Sequence, residues 1–203
     1  MAAREFSPKA LATREKILQA ANGLFYRHGY TATGVDKIIA AAGVAKGNFF
    51  YHFKNKEELA IAVLDWHRDL ALAEIGLDQI LAQSSPARAL DDLLRNMAAR
   101  MTCGSDACRV RGCFFGNFAL ELATGSEPVR RKVQEIFAGF RSLIRELLER
   151  GQAQGEVRAD LDAEGASGLI LSVMEGAVLL DKTNQSEQEV RHALEFIASY
   201  LRA

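Results

Sequence analysis

Three cysteines, Cys103, Cys108 and Cys113, stand in a C-x4-C-x4-C pattern and are the most chemically reactive residues of the sequence. Structural zinc sites use C-x2-4-C pairs with a fourth ligand. Neither this spacing nor a neighbouring histidine fits such a site, so we predict no metal. A disulfide is unusual in the cytoplasm. Arg109 and Arg111 would lower the pKa of a nearby thiol, which makes Cys113 the candidate for redox or electrophile sensing. The alternative is that the thiols are buried and inert.

The sequence contains no motif of a common catalytic site. It lacks G-x-S-x-G, a Walker loop, a dinucleotide-binding fingerprint and H-E-x-x-H. The four histidines are scattered along the chain, at His28, His52, His67 and His192. We therefore predict that the chain is not an enzyme and uses no cofactor. An enzyme and a helical adaptor are the alternatives from other classes, and neither explains the features of the N-terminal part.

Charge is distributed unevenly along the chain. Residues 1 to 56 hold nine Lys or Arg against three Asp or Glu, whereas the remaining 147 residues hold sixteen against twenty-three. A basic segment attached to an acidic body is typical of nucleic-acid binding, because basic side chains neutralise phosphates and release counterions. The charge pattern therefore points to DNA or RNA as a partner of the N-terminal part.

The stretch from Thr33 to Lys56 predicts two short helices joined by a tight turn. Val35, Ile38, Ile39 and Ala42 recur at helical spacing, and Gly43 follows where a helix would end. The next segment, residues 45–53, has buried-type residues at Phe49 and Phe53, with small or polar residues between them. This arrangement is a helix-turn-helix, whose second helix enters the major groove of DNA.

This segment resembles the DNA-binding part of the tetracycline-repressor (TetR) family of bacterial transcription regulators. The resemblance rests on the pair Gly29 and Tyr30 and on the K-G-x-F-x-x-H-F-x-x-K run from Lys46 to Lys56, and it covers about the first 60 residues. Phe50 departs from the family pattern, which usually has a tyrosine there whose hydroxyl contacts a phosphate. The resemblance implies the following DNA-binding residues: Thr33, Ala45, Lys46, Gly47, Asn48, Tyr51, His52, Lys54 and Lys56.

The resemblance also implies a function and an assembly. Members of the family bind palindromic operators in double-stranded DNA as homodimers, and many are repressors that a small-molecule effector releases. Some relatives carry a sensing cysteine after an Arg-Gly pair, as at Cys113. The expectation is therefore a repressor with an unknown small-molecule effector, and the alternative is a redox or electrophile sensor that uses Cys113.

The fold expected from the sequence is all-α, with a DNA-binding domain at residues 1–54 and a ligand-binding and dimerisation domain at residues 55–203. Pro is rare, and no alternating strand pattern is present. A long helix is predicted from Asn55, a plausible N-cap, to about Leu81. The last two helices are rich in small and aliphatic residues, which predicts a four-helix packing across a two-fold axis. A monomer that folds these helices inward is the alternative.

Ligand-binding residues are expected in the second domain and in the helix that leads to it. The apolar segment GCFFGNFALELA should be buried, yet it carries Asn117 and Glu121 on one face. These two side chains either orient a ligand, are held by a neighbouring backbone, or face solvent. Trp66 and His67 are equally compatible with packing between domains. The candidate ligand-binding residues are Trp66, His67, Phe114, Asn117, Phe118, Glu121, Phe140 and Met174.

The sequence favours a cytoplasmic protein without a membrane partner. It has no run of 18 or more apolar residues, and its first residues carry charges where a signal peptide would need an apolar region.

Overall fold

The computed structural model describes residues 7–102 and 110–202 of the chain. This part of the chain contains ten α-helices and no β-strand, which confirms the all-α prediction. The helices are α1 (Pro8–His28), α2 (Val35–Ala42), α3 (Lys46–His52), α4 (Lys56–Glu74), α5 (Leu77–Leu81), α6 (Pro86–Thr102), α7 (Phe114–Leu122), α8 (Glu127–Ala153), α9 (Ala163–Asn184) and α10 (Gln188–Leu201).

Local sequence signals set both ends of α1 and the start of α4. The Ser7 hydroxyl accepts the N–H of Ala10 at the start of α1, and Gly29 ends this helix with a φ of 81°. Asn55 caps α4 as predicted, because its Oδ1 accepts the N–H of Glu58 at 2.8 Å. The Glu58 carboxylate in turn accepts the N–H of Lys54 at 2.9 Å. This reciprocal pair has the logic of a capping box.

The prediction of one helix from Asn55 to Leu81 is wrong at its C-terminal end. α4 ends at Glu74, and Gly76 adopts the left-handed conformation with φ 69° and ψ 45° before α5 begins. A residue in the left-handed conformation cannot continue a right-handed helix, so the helix ends here. Glycine accepts this conformation without the steric cost that a Cβ would add.

The described chain forms two compact units. Unit 1 contains the described residues up to Arg68 together with Phe118–Val133, and unit 2 contains Asp69–Asn117 and the described residues from Gln134 onward. The structure therefore does not divide the chain between residues 54 and 55. α4 begins just after this point, at Lys56, and its residues up to Arg68 belong to unit 1 with the N-terminal helices.

Aliphatic side chains of α6, α8 and α9 form the core of unit 2. Residues at helical spacing on each helix point inward, which is the arrangement expected of amphipathic helices in a bundle. The largest fully buried side chains of this core are Leu90, Leu93, Ile144, Leu147, Leu148 and Ile170.

Asp181 joins the last two helices of unit 2. Its carboxylate is fully buried and accepts hydrogen bonds from the Ser186 hydroxyl at 2.8 Å and from the N–H groups of Glu189 and Val190 at 3.0 and 2.9 Å. A carboxylate at a helix N-terminus satisfies otherwise unpaired N–H groups and interacts favourably with the helix dipole. The end of α9 therefore fixes the start of α10.

α9 is the one helix among the described residues that is long and apolar enough to cross a bilayer. This is weak evidence for a membrane span, because a core helix of a water-soluble domain has the same length and composition. In this structure α9 packs against α6 and α10.

Candidate nucleic-acid interface

The first three helices of unit 1 pack around a small apolar core. Ile17 and Ala21 of α1, Ile38 of α2 and Phe49 of α3 have no exposed surface, and Phe53 is only 1% exposed. The Phe49 and Phe53 rings lie 6.0 Å apart between centroids. These residues fix how α2 and α3 cross, as a helix-turn-helix requires.

The turn between α2 and α3 has the conformation that the sequence predicts. Gly43 is left-handed with φ 63° and ψ 37°, and its N–H donates to the carbonyl of Ala40. The N–H of Val44 donates to the carbonyl of Ile39 at 3.3 Å. These bonds satisfy carbonyl groups at the end of α2, so α3 can begin only three residues after Gly43.

The polar face of α3 is open to solvent. Ala45, Lys46, Gly47 and Asn48, at the start of the helix, are all exposed. Tyr51 is also exposed, as is Lys54 just beyond the helix. These are six of the nine residues that the sequence assigns to DNA binding, and the fold brings them together along one short helix and its end.

Lys46 has an acidic neighbour on α2. Its ammonium lies 3.2 Å from a carboxylate oxygen of Asp36, with both side chains largely exposed. Such exposed pairs contribute little to stability and are screened by salt. The pair therefore leaves Lys46 available to an anionic partner that outcompetes Asp36.

Two side chains assigned to DNA binding lie inside unit 1 instead. Thr33 is fully buried, and its hydroxyl donates to the carbonyl of Gly29 at 2.7 Å. His52 is only 7% exposed, and its ring contacts those of Tyr51 and Phe53. Both side chains hold the helices together and do not extend from the surface. A family pattern marks such positions but does not show whether a side chain stabilises the fold or contacts DNA.

Lys56 is also engaged within unit 1. Its ammonium lies 4.0 Å from the centroid of the Tyr30 ring, a cation–π contact. Partial burial lowers the pKa of Lys56, and the negative charge of Glu121 opposes this effect. The cation is therefore placed beside the turn that follows α1, where it supports the first helix.

Arg14 is a supporting residue that the sequence did not reveal. Its guanidinium lies 4.4 Å from the centroid of the Phe53 ring. Burial lowers the pKa of Arg14, and the charge of Glu58 raises it. The sequence shows only a basic residue near the start of α1, and the contact spans 39 positions, so no local pattern could identify it.

Glu121 and Phe118, two candidate ligand residues, belong to unit 1 and contact its first helices. The Glu121 carboxylate accepts the N–H groups of Tyr30 at 3.1 Å and of Thr31 at 2.9 Å. The Phe118 ring lies 5.6 Å from Phe25 and 5.9 Å from Tyr30. Of the three alternatives for Glu121, the observed contact is therefore the one in which a neighbouring backbone holds the side chain.

Trp66 and His67 likewise have protein partners in unit 1. The Trp66 indole donates to a carboxylate oxygen of Glu15 at 2.8 Å. The His67 Nδ1 lies 2.8 Å from the amide oxygen of Asn22. These contacts attach α4 to α1 and match the packing alternative, so ligand binding by these two residues stays a prediction without support from the geometry.

The remaining candidate ligand residues lie in unit 2. Phe114, Phe140 and Met174 are buried. Asn117 donates to the carbonyl of Arg111 at 3.2 Å, and its oxygen accepts from the Lys182 ammonium at 2.7 Å. The protein itself engages both ends of the Asn117 amide, so ligand binding by these four residues stays a prediction.

The structure does not favour the sensing role of Cys113. The side chain is 5% exposed, and burial, with the nearby Glu175 carboxyl, raises the pKa of the thiol well above its ordinary value. The thiolate is the reactive form, so burial and the raised pKa favour the alternative of a buried, inert thiol. Cys103, Cys108 and Arg109 lie outside the described residues, so the predictions that involve them have no structural counterpart.

Comparisons with known proteins identify the same two parts of the chain. The family described as bacterial regulatory proteins, tetR family, matches residues 17–63, and the tetracyclin repressor-like C-terminal domain matches residues 88–197. The HTH-type transcriptional regulator LmrA of Bacillus subtilis is 31% identical over 191 residues, which cover 94% of this chain and 97% of that protein. The HTH-type transcriptional repressor DhaR of Mycobacterium sp. is 29% identical over 178 residues, covering 86% and 85%.

Solved structures have the same fold. A TetR transcriptional regulator from Chloroflexus aurantiacus superimposes with a TM-score of 0.83 at 29% identity, covering 96% of both chains. The reduced form of Escherichia coli NemR gives a TM-score of 0.84 at 19% identity, covering 94% of this chain and 97% of that one. Together with the helix-turn-helix and its exposed basic helix, these matches show that the chain belongs to the TetR family of DNA-binding transcription regulators.

Proposed function

We propose that this regulator is a repressor that binds a palindromic operator as a homodimer and leaves it when a small-molecule effector binds. The observation that carries the proposal is the open face at the start of α3. Lys46, Gly47 and Asn48 are exposed there, while Phe49 and Phe53 anchor the helix from behind. The N-terminal residues of a recognition helix are those that contact base edges in the major groove.

Packing within the protein does not explain why position 47 of this face is a glycine. A Cβ added at Gly47 would have no neighbour within 4 Å, so internal packing does not require glycine. Glycine costs up to roughly 1 kcal/mol relative to alanine in a helix, the full value applying to the interior rather than to the second residue, where Gly47 lies. A close approach of the α3 backbone to DNA accounts for this cost, since a missing side chain lets a partner come nearer.

The contacts divide into two kinds in this proposal. Lys46 and Asn48 lie at the start of α3 and read base edges, because lysine donates to guanine and asparagine forms a bidentate pair with adenine. Tyr51 and Lys54 lie at its end and contact phosphates. Phosphate contacts set the position and the salt dependence of binding, whereas base contacts set the preferred sequence.

The homodimer is proposed to form through α9 and α10. Leu169, Leu179 and Leu180 of α9 are 48 to 53% exposed, and Phe196 of α10 is 56% exposed. The Phe196 ring stacks on that of Tyr200 at 6.0 Å with an interplanar angle of 8°. Large apolar side chains on two adjacent helices are typical of a covered surface, and a second copy would cover them by four-helix packing.

The effector site is proposed to lie in unit 2, beside Phe114, Asn117, Phe140 and Met174. An effector changes DNA binding only through its different affinities for the two conformations of the regulator. A hundredfold difference corresponds to roughly 2.7 kcal/mol, which a small apolar molecule can supply. Such a regulator would act in the cytoplasm, where its operator is located.

Dimerisation and DNA binding can be tested together. Light scattering at micromolar concentration should give a dimer for the natural chain and a monomer for Phe196→Glu, while exposed Glu195→Ala on the same helix should remain dimeric. The Phe196→Glu variant should also lose operator binding, because the two half-sites of an operator need two DNA-binding domains. A natural chain that is monomeric, or a monomeric variant with full operator affinity, would refute the proposed assembly.

A further inference from the structure

Unit 2 contains a cavity between α6 and α10, apart from the residues proposed for the effector. Its volume is about 280 Å³, near the lower end of the range for small-molecule sites. Its walls are aliphatic and come from both helices. They are formed by Leu90, Leu94, Leu194, Ile197 and Leu201. The cavity therefore suits a short apolar body.

Two arginines stand among the lining residues with N–H groups to spare. Arg95 uses its Nε to donate to Asp91 at 2.7 Å, which leaves the two terminal nitrogens of the guanidinium for other acceptors. The Arg202 side chain is exposed and has no acceptor in the part of the chain that the structure describes. A guanidinium presents these donors as a planar fork that matches a carboxylate.

One carboxylate oxygen of each acidic residue of the cavity, Asp91 and Glu156, accepts hydrogen bonds from the protein. The Asp91 carboxylate accepts from Arg95. Glu156 accepts from the Ser85 hydroxyl at 2.9 Å and from the N–H of Ala87 at 3.0 Å, and so it caps the start of α6. The charges of Asp92 and Glu195 also act on Arg95. The guanidinium groups of Arg95 and Arg202 nevertheless keep more N–H groups available than Asp91 and Glu156 keep oxygens, which favours a ligand whose polar end only accepts hydrogen bonds.

We propose that this cavity binds a small amphipathic monocarboxylate, with its apolar body between α6 and α10 and its carboxylate at Arg202 and Arg95. The aliphatic side chains of the walls favour an apolar body, and the volume excludes a large one. This site is separate from the effector site proposed above, and its occupation does not depend on DNA binding. The proposal and the proposed function can therefore fail independently.

Isothermal titration calorimetry of the full chain without DNA tests the site, with octanoate as the probe and 1-octanol as the uncharged partner of equal chain length. Octanoate should bind at least about tenfold more tightly than 1-octanol, because only the carboxylate can use the guanidinium donors. Absence of octanoate binding at millimolar concentration, or equal binding of the two compounds, would overturn the proposal.

Three variants locate the binding. Arg202→Gln should weaken octanoate binding about tenfold or more by removing the charged fork. Arg191→Gln changes an exposed arginine of α10 that does not line the cavity, and it should leave binding unchanged. Ala198→Phe should block the cavity, provided that its circular dichroism spectrum matches that of the natural chain. Equal affinities of Arg202→Gln and Arg191→Gln would place the ligand elsewhere and refute the proposed site.

Discussion

The carboxylate of Glu121, near the end of α7, accepts the backbone N–H of Thr31 at 2.9 Å. A side chain that is 90 positions away along the sequence thus holds the turn between α1 and α2. The second carboxylate oxygen accepts a hydrogen bond from the N–H of Tyr30. One side chain therefore satisfies both backbone N–H groups that follow Gly29. This contact connects the end of α7 with the turn before the helix-turn-helix, and both belong to unit 1.

Replacing Glu121 by alanine should destabilise the turn after α1. We expect the free energy of unfolding to fall by about 1 kcal/mol, because the two N–H groups are exposed enough to bond to water instead. Amide hydrogen exchange followed by NMR should show faster exchange at Tyr30 and Thr31. Leu120→Ala, at an exposed position of the same helix, is the control. Unchanged exchange at both amides would show that the Glu121 contact is dispensable.

Gly47→Ala should have opposite effects on folding and on DNA binding. The variant should gain up to about 1 kcal/mol of stability from the better helix propensity of alanine. Operator affinity should nevertheless fall, because the new methyl group meets the DNA. Gly139→Ala in α8 offers a matched control, since a Cβ there also has no neighbour within 4 Å. Gly139→Ala should be stabilised without losing affinity, and a Gly47→Ala variant with full affinity would contradict close approach.

Lys54→Ala and Asn48→Ala should change DNA binding in two different ways. Lys54→Ala should weaken binding to all duplex sequences and reduce the slope of log affinity against log salt by about 0.9, the value for one phosphate contact. Asn48→Ala should relax the preference at one base pair of each half-site, at a cost of about 1 to 3 kcal/mol for the preferred base. Fluorescence anisotropy over a salt series gives both quantities. Identical behaviour of the two variants would remove the distinction between phosphate and base contacts.

Glu175 should make stability depend on pH. Burial raises the pKa of its carboxyl above the ordinary value of 4.5, against a smaller opposing effect of its hydrogen bond with Cys113. The folded protein therefore keeps this proton where the unfolded chain has lost it. The resulting stabilisation is present below pH 4.5 and is lost as the pH rises through the folded pKa.

The variant Glu175→Gln should lack this dependence. Relative to the natural chain, its free energy of unfolding in urea should increase from pH 4.5 to pH 8. The exposed Glu195→Gln substitution should show no such relative increase. A constant difference between Glu175→Gln and the natural chain across this range would show that Glu175 titrates alike in the folded and unfolded states.

Residues that act through neighbouring backbone atoms were predicted well. Gly43 and Asn55 end or begin helices through bonds that span three to five positions, and such short-range chemistry can be inferred from residue type alone. Gly76 obeys the same rule, but the apolar residues on both sides of it suggested a continuous helix. The local signal was present in the sequence and was outweighed by periodicity.

Residues that act across the fold could not be predicted. Thr33 and His52 match the family pattern at the DNA-binding surface, yet their side chains are buried by packing that the pattern does not describe. For Glu121 the sequence left three alternatives, namely a ligand, a neighbouring backbone or solvent, because a polar residue on an apolar helix needs a partner. The observed partner is the backbone of a turn that is distant in sequence, which no local pattern identifies. Cys113 was assessed from its neighbours in sequence, whereas its burial and Glu175 determine its pKa.

Selection of bound sites from a random duplex DNA library tests the central claim most directly. A homodimer that reads DNA with α3 should enrich an inverted repeat, with half-site centres separated by about 10 base pairs or a multiple of one helical turn. The same selection with Asn48→Ala should enrich sites of the same spacing with one relaxed position in each half. Enrichment of an inverted repeat would support the account, whereas enrichment of no sequence, or of a single unrepeated half-site, would contradict it.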